Sequence, residues 1–161
     1  MAVVVAGGFT VIFGKIWLKS RQEAPFRREV RAQGVTFRTR LNIVKTMTKR
    51  GWWTGPYGEI YLIVREDAFE ISCGISPIRV VLGLEYYFRA RETTIEVSRL
   101  PGIIKRDWIV VTGQQLGRES QLAIAQRRDL GDAWNALVGA GAVPVGLPPP
   151  LREVLGPQGW S

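Results

Sequence analysis

The sequence predicts a mainly β fold. It is an antiparallel barrel or sandwich of about seven short strands, capped by one C-terminal helix and preceded by an apolar helical segment. Three observations predict it. Residues 35–126 carry short runs that alternate apolar and polar side chains or read as buried strands, with turn signals at close intervals. Within that body only the stretch after Asp129 shows helical periodicity. The length of 161 residues, with 46% hydrophobic and 22% charged side chains, fits one ordinary domain with a short appendage.

Residues 1–18 form the first unit. Met1 to Gly14 carries no charged side chain, and Ile16, Trp17 and Leu18 follow Lys15. With Lys15 tolerated near the edge the run has 18 residues, against the roughly 17 to 20 that a helix needs to cross the hydrocarbon core. The basic residues follow the apolar run, where a signal peptide would place them before it. Trp17 suits the interface, and Lys15 and Lys19 can snorkel to the headgroups. The segment is therefore expected to be a membrane anchor. A buried core strand or helix is the competing expectation, because Val3, Val4 and Val5 also suit a strand.

Residues 19–34 are read as a basic neck. Between Lys15 and Arg50 there are eleven basic residues opposed only by Glu23 and Glu29, a net of +9, while the whole chain carries +8. The remainder is thus close to neutral. A DNA-reading domain does not usually distribute its charge so, whereas a segment lying beside anionic headgroups does. The positive-inside rule then places the neck and body at the cytoplasmic face of the cell membrane.

The body spans residues 35–142. In Val35–Val44, Val35, Phe37, Thr39, Leu41 and Ile43 point one way, and Thr36, Arg38, Arg40 and Asn42 the other, as in a half-buried strand with a basic outer face. Lys45–Tyr57 is expected to be a loop. Glu59–Arg65 and Ala68–Ser72 form a hairpin through Glu66-Asp67. After a break at 73–77 come Ile78–Leu84 and Glu85–Arg91, with Tyr86, Tyr87 and Phe88 assigned to core packing. Thr93–Arg99, Asp107–Thr112 (ended by Gly113) and Gln121–Gln126 complete the strands. Asp129 is the expected helix N-cap, with Asp132 in the first turn. Leu130, Trp134, Leu137 and Val138 make one apolar stripe, and Gly139 and Gly141 stop the helix. Residues 143–161, with three consecutive prolines at 148–150, are expected to be an extended tail.

The hairpin at 58–72, the runs Thr93–Arg99, Asp107–Thr112 and Gln121–Gln126, and the closing helix at 129–142 together resemble a pleckstrin-homology-like (PH-like) domain, of the bacterial membrane-tethered type. The resemblance implies a barrel plugged at its open end by the helix, here by Trp134 with Leu137. It further implies a binding module without catalysis, holding lipid phosphates through basic residues of the first strands and their loop. Carried onto this chain, those residues are Arg38, Arg40, Lys45, Lys49 and Arg50. They lack the tight basic pattern of a specific phosphoinositide pocket, which leaves diffuse attraction of about 1 kcal/mol per basic residue near an anionic membrane. Trp52 and Trp53 join them as aromatics able to enter the headgroup layer or to stack nucleic-acid bases, and the competing expectation is that they cover the barrel edge while the cations are merely solvated.

Several chemistries are excluded. The chain has no histidine, which removes His-based triads and imidazole metal ligands. Its one cysteine, Cys73, allows neither an intramolecular disulfide nor a multi-thiolate zinc site. Glu66 with Asp67, and Glu92 with Glu96, have no basic or metal-ligand partner converging on them, and Gly113–Gly117 lacks the basic residue of a phosphate loop. No cofactor, metal or catalytic residue is expected. The expected partners are an anionic membrane surface and a protein. The alternative is a soluble basic protein binding nucleic acid or another anion, with the N-terminal run inside its core.

Overall fold

The alternation that begins at Val35 meets a corner at Asn42. The structure, a computed structural model, describes residues 18, 21, 24–54, 59–73, 85–100, 107–115, 118–125, 130–146 and 148–149. Within them, strand β1 (Val35–Leu41) pairs antiparallel with β4 (Ile60–Arg65), and the chain then bends at Asn42 into β2 (Ile43–Thr48). Leu41 and Val44 both enter the core although three residues apart, so the bend breaks the period-two pattern. β2 pairs with the opposite sheet, and the Asn42 N–H donates to the Ala125 carbonyl.

One bent strand therefore serves two layers. The first sheet runs in the order β1, β4, β5 (Ala68–Cys73), β6 (Tyr86–Arg89). The second contains β3 (Gly51–Thr54), β7 (Thr94–Ser98), β8 (Trp108–Gln115), β9 (Arg118–Ala125) and β10 (Val143–Val145), in the order β10-β7-β8-β9-β2-β3. Among the described residues there are ten strands against the seven or so expected. The difference lies in the split at Asn42 and in two strands read from the sequence as loop and tail. β3 falls in the expected loop 45–57, where β2 and β3 pair antiparallel, Met47 opposite Trp52. β10 opens the expected tail. β8 also runs through Gly113 to Gln115 rather than stopping there. The hairpin β4–β5 through Glu66-Asp67 is as expected. The expected run Ile78–Leu84, the N-cap Asp129, and residues 1–17 with Lys15 and Trp17 lie outside the described residues, as does Lys19.

The inner faces of both sheets form one core. Ile60, Leu62, Phe69, Ile71 and Phe88 from the first sheet meet Ile95, Ile109, Leu122 and Ile124 from the second. The Phe69 and Phe88 rings stack with centroids 5.1 Å apart. Helix α2 (Leu130–Gly139) packs against β1 and β4, and Trp134 and Leu137 are buried in the core as expected. Val138, assigned to the apolar stripe, is exposed, while Ala133 and Ala140 take the buried positions beside Trp134. The helix packs through a narrower and smaller-sided face than the stripe implied.

The stop after α2 belongs to Gly141 alone. Gly141 N–H donates to Val138 and Ala142 N–H to Leu137, the paired bonds of a Schellman motif, with Gly141 at φ 106°. Gly139 is helical and a Cβ there would meet nothing, whereas a Cβ on Gly141 would lie 3.1 Å from Arg91 Cγ. Opposite outcomes are expected two residues apart. Gly141→Ala should cost about 1–2 kcal/mol through left-handed strain, and Gly139→Ala should gain about 0.5–1 kcal/mol by helix propensity. Urea unfolding midpoints check both, and equal shifts would refute the assignment.

β10 pairs with β7 in parallel, Val143 N–H donating to the Thr93 carbonyl at 2.9 Å. The alternation of a parallel ladder turns position 144 away from β7. Pro144 thus loses no bond to its neighbour and gives the sheet an outer edge without a donor.

Ahead of β1, residues 24–32 form helix α1, and Leu18 and Arg21 are helical as well. Within the expected basic neck, residues 24–32 are packed on the body. Val30 and Phe26, one turn apart, pack on Ala68 and Tyr87 at the outer face of the first sheet, and Val30 is fully buried. No helix among the described residues is long and apolar enough to cross a membrane.

Candidate basic and aromatic surface

Two separate surfaces take up the residues that the sequence grouped together. Arg38 and Arg40 project from β1 on the outer face of the first sheet. The Arg38 guanidinium lies 4.6 Å from the Tyr61 ring centroid, and Arg40 pairs with Glu59 at 3.4 Å. Both cations are exposed and both have local partners. The remaining members sit across the Asn42 bend on the second sheet, in the β2–β3 hairpin. The sequence cluster is therefore divided by the corner at Asn42 between the two sheets, a break that unbroken alternation cannot reveal.

The hairpin is built by its turn. The Thr48 hydroxyl donates to the Gly51 carbonyl at 2.8 Å and accepts from the Arg50 N–H, and Gly51 takes φ 105°. That leaves Lys49 and Arg50 at the exposed tip, with no ion pair among the described residues. Behind the tip, the faces of the ladder alternate. Val44 and Thr46 face inward, and Trp53 stands opposite Thr46 with 49% of its surface exposed. Lys45, Met47 and Trp52 face outward, and Met47 is 39% exposed. Exposed apolar side chains on both faces of a hairpin with a cationic tip are an unusual use of surface, since Met and Trp are normally covered.

Lys45 and Trp52 have a structural role. Trp52 packs on a second apolar cluster, Trp108, Val110, Ala123 and Ala125, on the outer face of the second sheet. Lys45 Nζ lies 4.9 Å from the Trp108 ring centroid, a cation–π contact with the same cluster. Of the seven surface residues predicted, Lys49, Arg50 and Trp53 are presented together, and Lys45 and Trp52 stand behind them as a base.

A charged network under α1 was missed from the sequence. Arg27 and Arg31 both reach Glu85, at 3.8 and 3.5 Å, and both guanidinium groups lie over the Tyr87 ring. Arg31 also donates to the Tyr87 hydroxyl at 2.8 Å, and that hydroxyl donates to Glu85. Burial, with Glu85 adding to it, pushes the Tyr87 pKa up to about 12, so the ring stays neutral and able to donate. Glu29 pairs with Arg89, whose guanidinium sits over Phe26. Beneath them Arg65 meets Glu70 at 3.7 Å, and Arg65 donates to the Gln33 carbonyl at the C-terminal end of α1. The spacing of Phe26 with Val30 and of Arg27 with Arg31 was the available signal, and the density of positive charge masked it.

The network also orients α1. Arg27, early in the helix, lies at Glu85, while Gln33 beyond its end bonds Asp67. Tyr86, next to Glu85, meets Thr46 of β2 through its hydroxyl at 3.2 Å. The leading end of α1 is thus on the side of the two sheets that carries the β2–β3 hairpin. Among the described residues no group of acidic, cysteine or histidine side chains could hold a metal ion. No protein-family model, curated protein or solved structure matches the chain.

Proposed function

We propose that the chain is a non-enzymatic PH-like module, held to the membrane by residues 1–18 with its body on the cytoplasmic side, and that the β2–β3 hairpin contacts anionic headgroups. The observation that carries this reading is the hairpin itself: Lys49 and Arg50 at an exposed tip, backed by exposed Met47 and Trp53. Cations attract the anionic layer, and an amphipathic aromatic lodges at its boundary. The position of α1 supports it, because its leading end and the hairpin share one side of the barrel. The PH-like reading draws on the bent strand β1–β2, the meanders β4–β6 and β7–β9, and the helix α2 over the open end.

The test uses residues 19–161, so that attraction is measured apart from anchoring. Lys49→Ser with Arg50→Ser should weaken binding to vesicles containing phosphatidylserine about tenfold to thirtyfold, at about 1 kcal/mol per cation. Binding should also fall with added salt. Arg38→Ser with Arg40→Ser should change it less, because Tyr61 and Glu59 already engage those side chains. Vesicle binding that is unchanged by the hairpin pair and insensitive to salt would refute the headgroup contact. For the anchor, the full chain should stay with membranes through an alkaline carbonate wash, and its release would refute the spanning segment.

A further inference from the structure

A groove of about 510 Å³ lies between α2 and the start of β1, on the face where β1 is the edge strand of its sheet. Its floor is apolar: Phe37 from β1, Ala136 from α2 and Ala140 just after that helix. Its rim is acidic. Glu66, in the β4–β5 turn, and Asp132, in the first turn of α2, are both exposed and make no ion pair among the described residues. Arg65 also lines the groove, nine-tenths buried, and its Nε has no hydrogen-bond partner among those residues.

We infer that this groove is a docking site for an extended peptide segment of a partner protein that carries a basic side chain between aliphatic ones. The argument is one of complementarity. The size suits a few residues of an extended chain. The aliphatic side chains would cover Phe37, Ala136 and Ala140, removing apolar surface from water. The basic side chain would sit between Glu66 and Asp132, two carboxylates unpaired on a protein of net charge +8. A free anion fits poorly, because two carboxylates face it across the same opening. The inference stands apart from the headgroup contact, since the groove shares no residue with the β2–β3 hairpin.

The test is selection of a random twelve-residue peptide display library on the full chain held in mild detergent. Peptides that survive should be enriched in Lys or Arg flanked by aliphatic residues. Their affinity should fall about twofold to thirtyfold on Glu66→Lys with Asp132→Lys, at roughly 0.2–1 kcal/mol for each partly exposed pair. Both positions are exposed, so the far-ultraviolet circular dichroism of this variant should match the parent. Failure to select any peptide would overturn the inference, as would selected peptides without basic residues, or peptides that bind the charge-reversed chain equally well. Loss of peptide binding on adding phosphatidylserine vesicles to a Lys49→Ser, Arg50→Ser chain would also overturn it, by assigning the groove to lipid.

Discussion

Gly113→Val is expected to lower stability by about 3 kcal/mol or more, the upper range for overpacking a filled core. A Cβ at this position would lie 2.7 Å from Phe88 Cδ1 and 2.8 Å from Thr93 Oγ1. Neither neighbour can yield. Phe88 is fully buried and stacked on Phe69, and the Thr93 hydroxyl donates to the Arg89 carbonyl at 2.7 Å. The position is also where the two layers meet without pairing, β6 of the first sheet passing β8 of the second. Glycine in a strand interior serves such a close approach of another backbone or ring. Gly113→Ala should already show most of the loss, because the clash begins at Cβ. Urea unfolding gives the measure, and a variant as stable as the parent would show that β6 and β8 can part at no cost.

Arg65→Met is expected to cost about 3–5 kcal/mol, the range for removing one member of a buried ion pair. The side chain engages Glu70 and holds the C-terminal end of α1 through the Gln33 carbonyl, so its loss both strands a buried carboxylate and loosens the helix. Glu70→Gln should cost far less. Burial pushes the Glu70 pKa up, and the attraction of Arg65 opposes that push without reversing it. The charged carboxylate is thus a net burden on the fold, and a neutral isostere relieves it. The pH dependence has a definite sign. A carboxyl whose folded pKa is raised binds its proton more tightly in the folded state, so its contribution falls as pH rises from the ordinary carboxylate value through the raised one. Parent stability should therefore decline with pH over that window, and Glu70→Gln should remove that share of the slope. Thermal unfolding of parent and variant at several pH values between 4 and 8 measures it, and identical slopes would refute the assignment.

How far the fold could be read from the chain depends on whether a signal is local. The β4–β5 hairpin was legible because two alternating runs flank a polar pair, and Trp134 with Leu137 because a helical stripe repeats at fixed spacing. β3 was not legible, since Gly51-Trp52-Trp53-Thr54 has no alternation of its own and gains its strand form by pairing with β2. The corner at Asn42 left no mark, because the polar residue there continues the pattern it interrupts. Of the surface cluster, Lys49, Arg50 and Trp53 lie near one another in the sequence and on one hairpin, while the separation of Arg38 and Arg40 depends on that same corner. The pairing of Arg65 with Glu70 depends on neighbouring strands, and the groove on two elements about a hundred residues apart in sequence. Neither has a local signature.

The proline in β10 has a reach beyond its own strand. Molecules crowded side by side meet readily border to border, and a six-stranded layer with an open margin can recruit its neighbours into a continuous ribbon. With position 144 unable to donate, that recruitment is interrupted along one margin. Dense packing there leaves neighbours as separate particles rather than the start of a fibre.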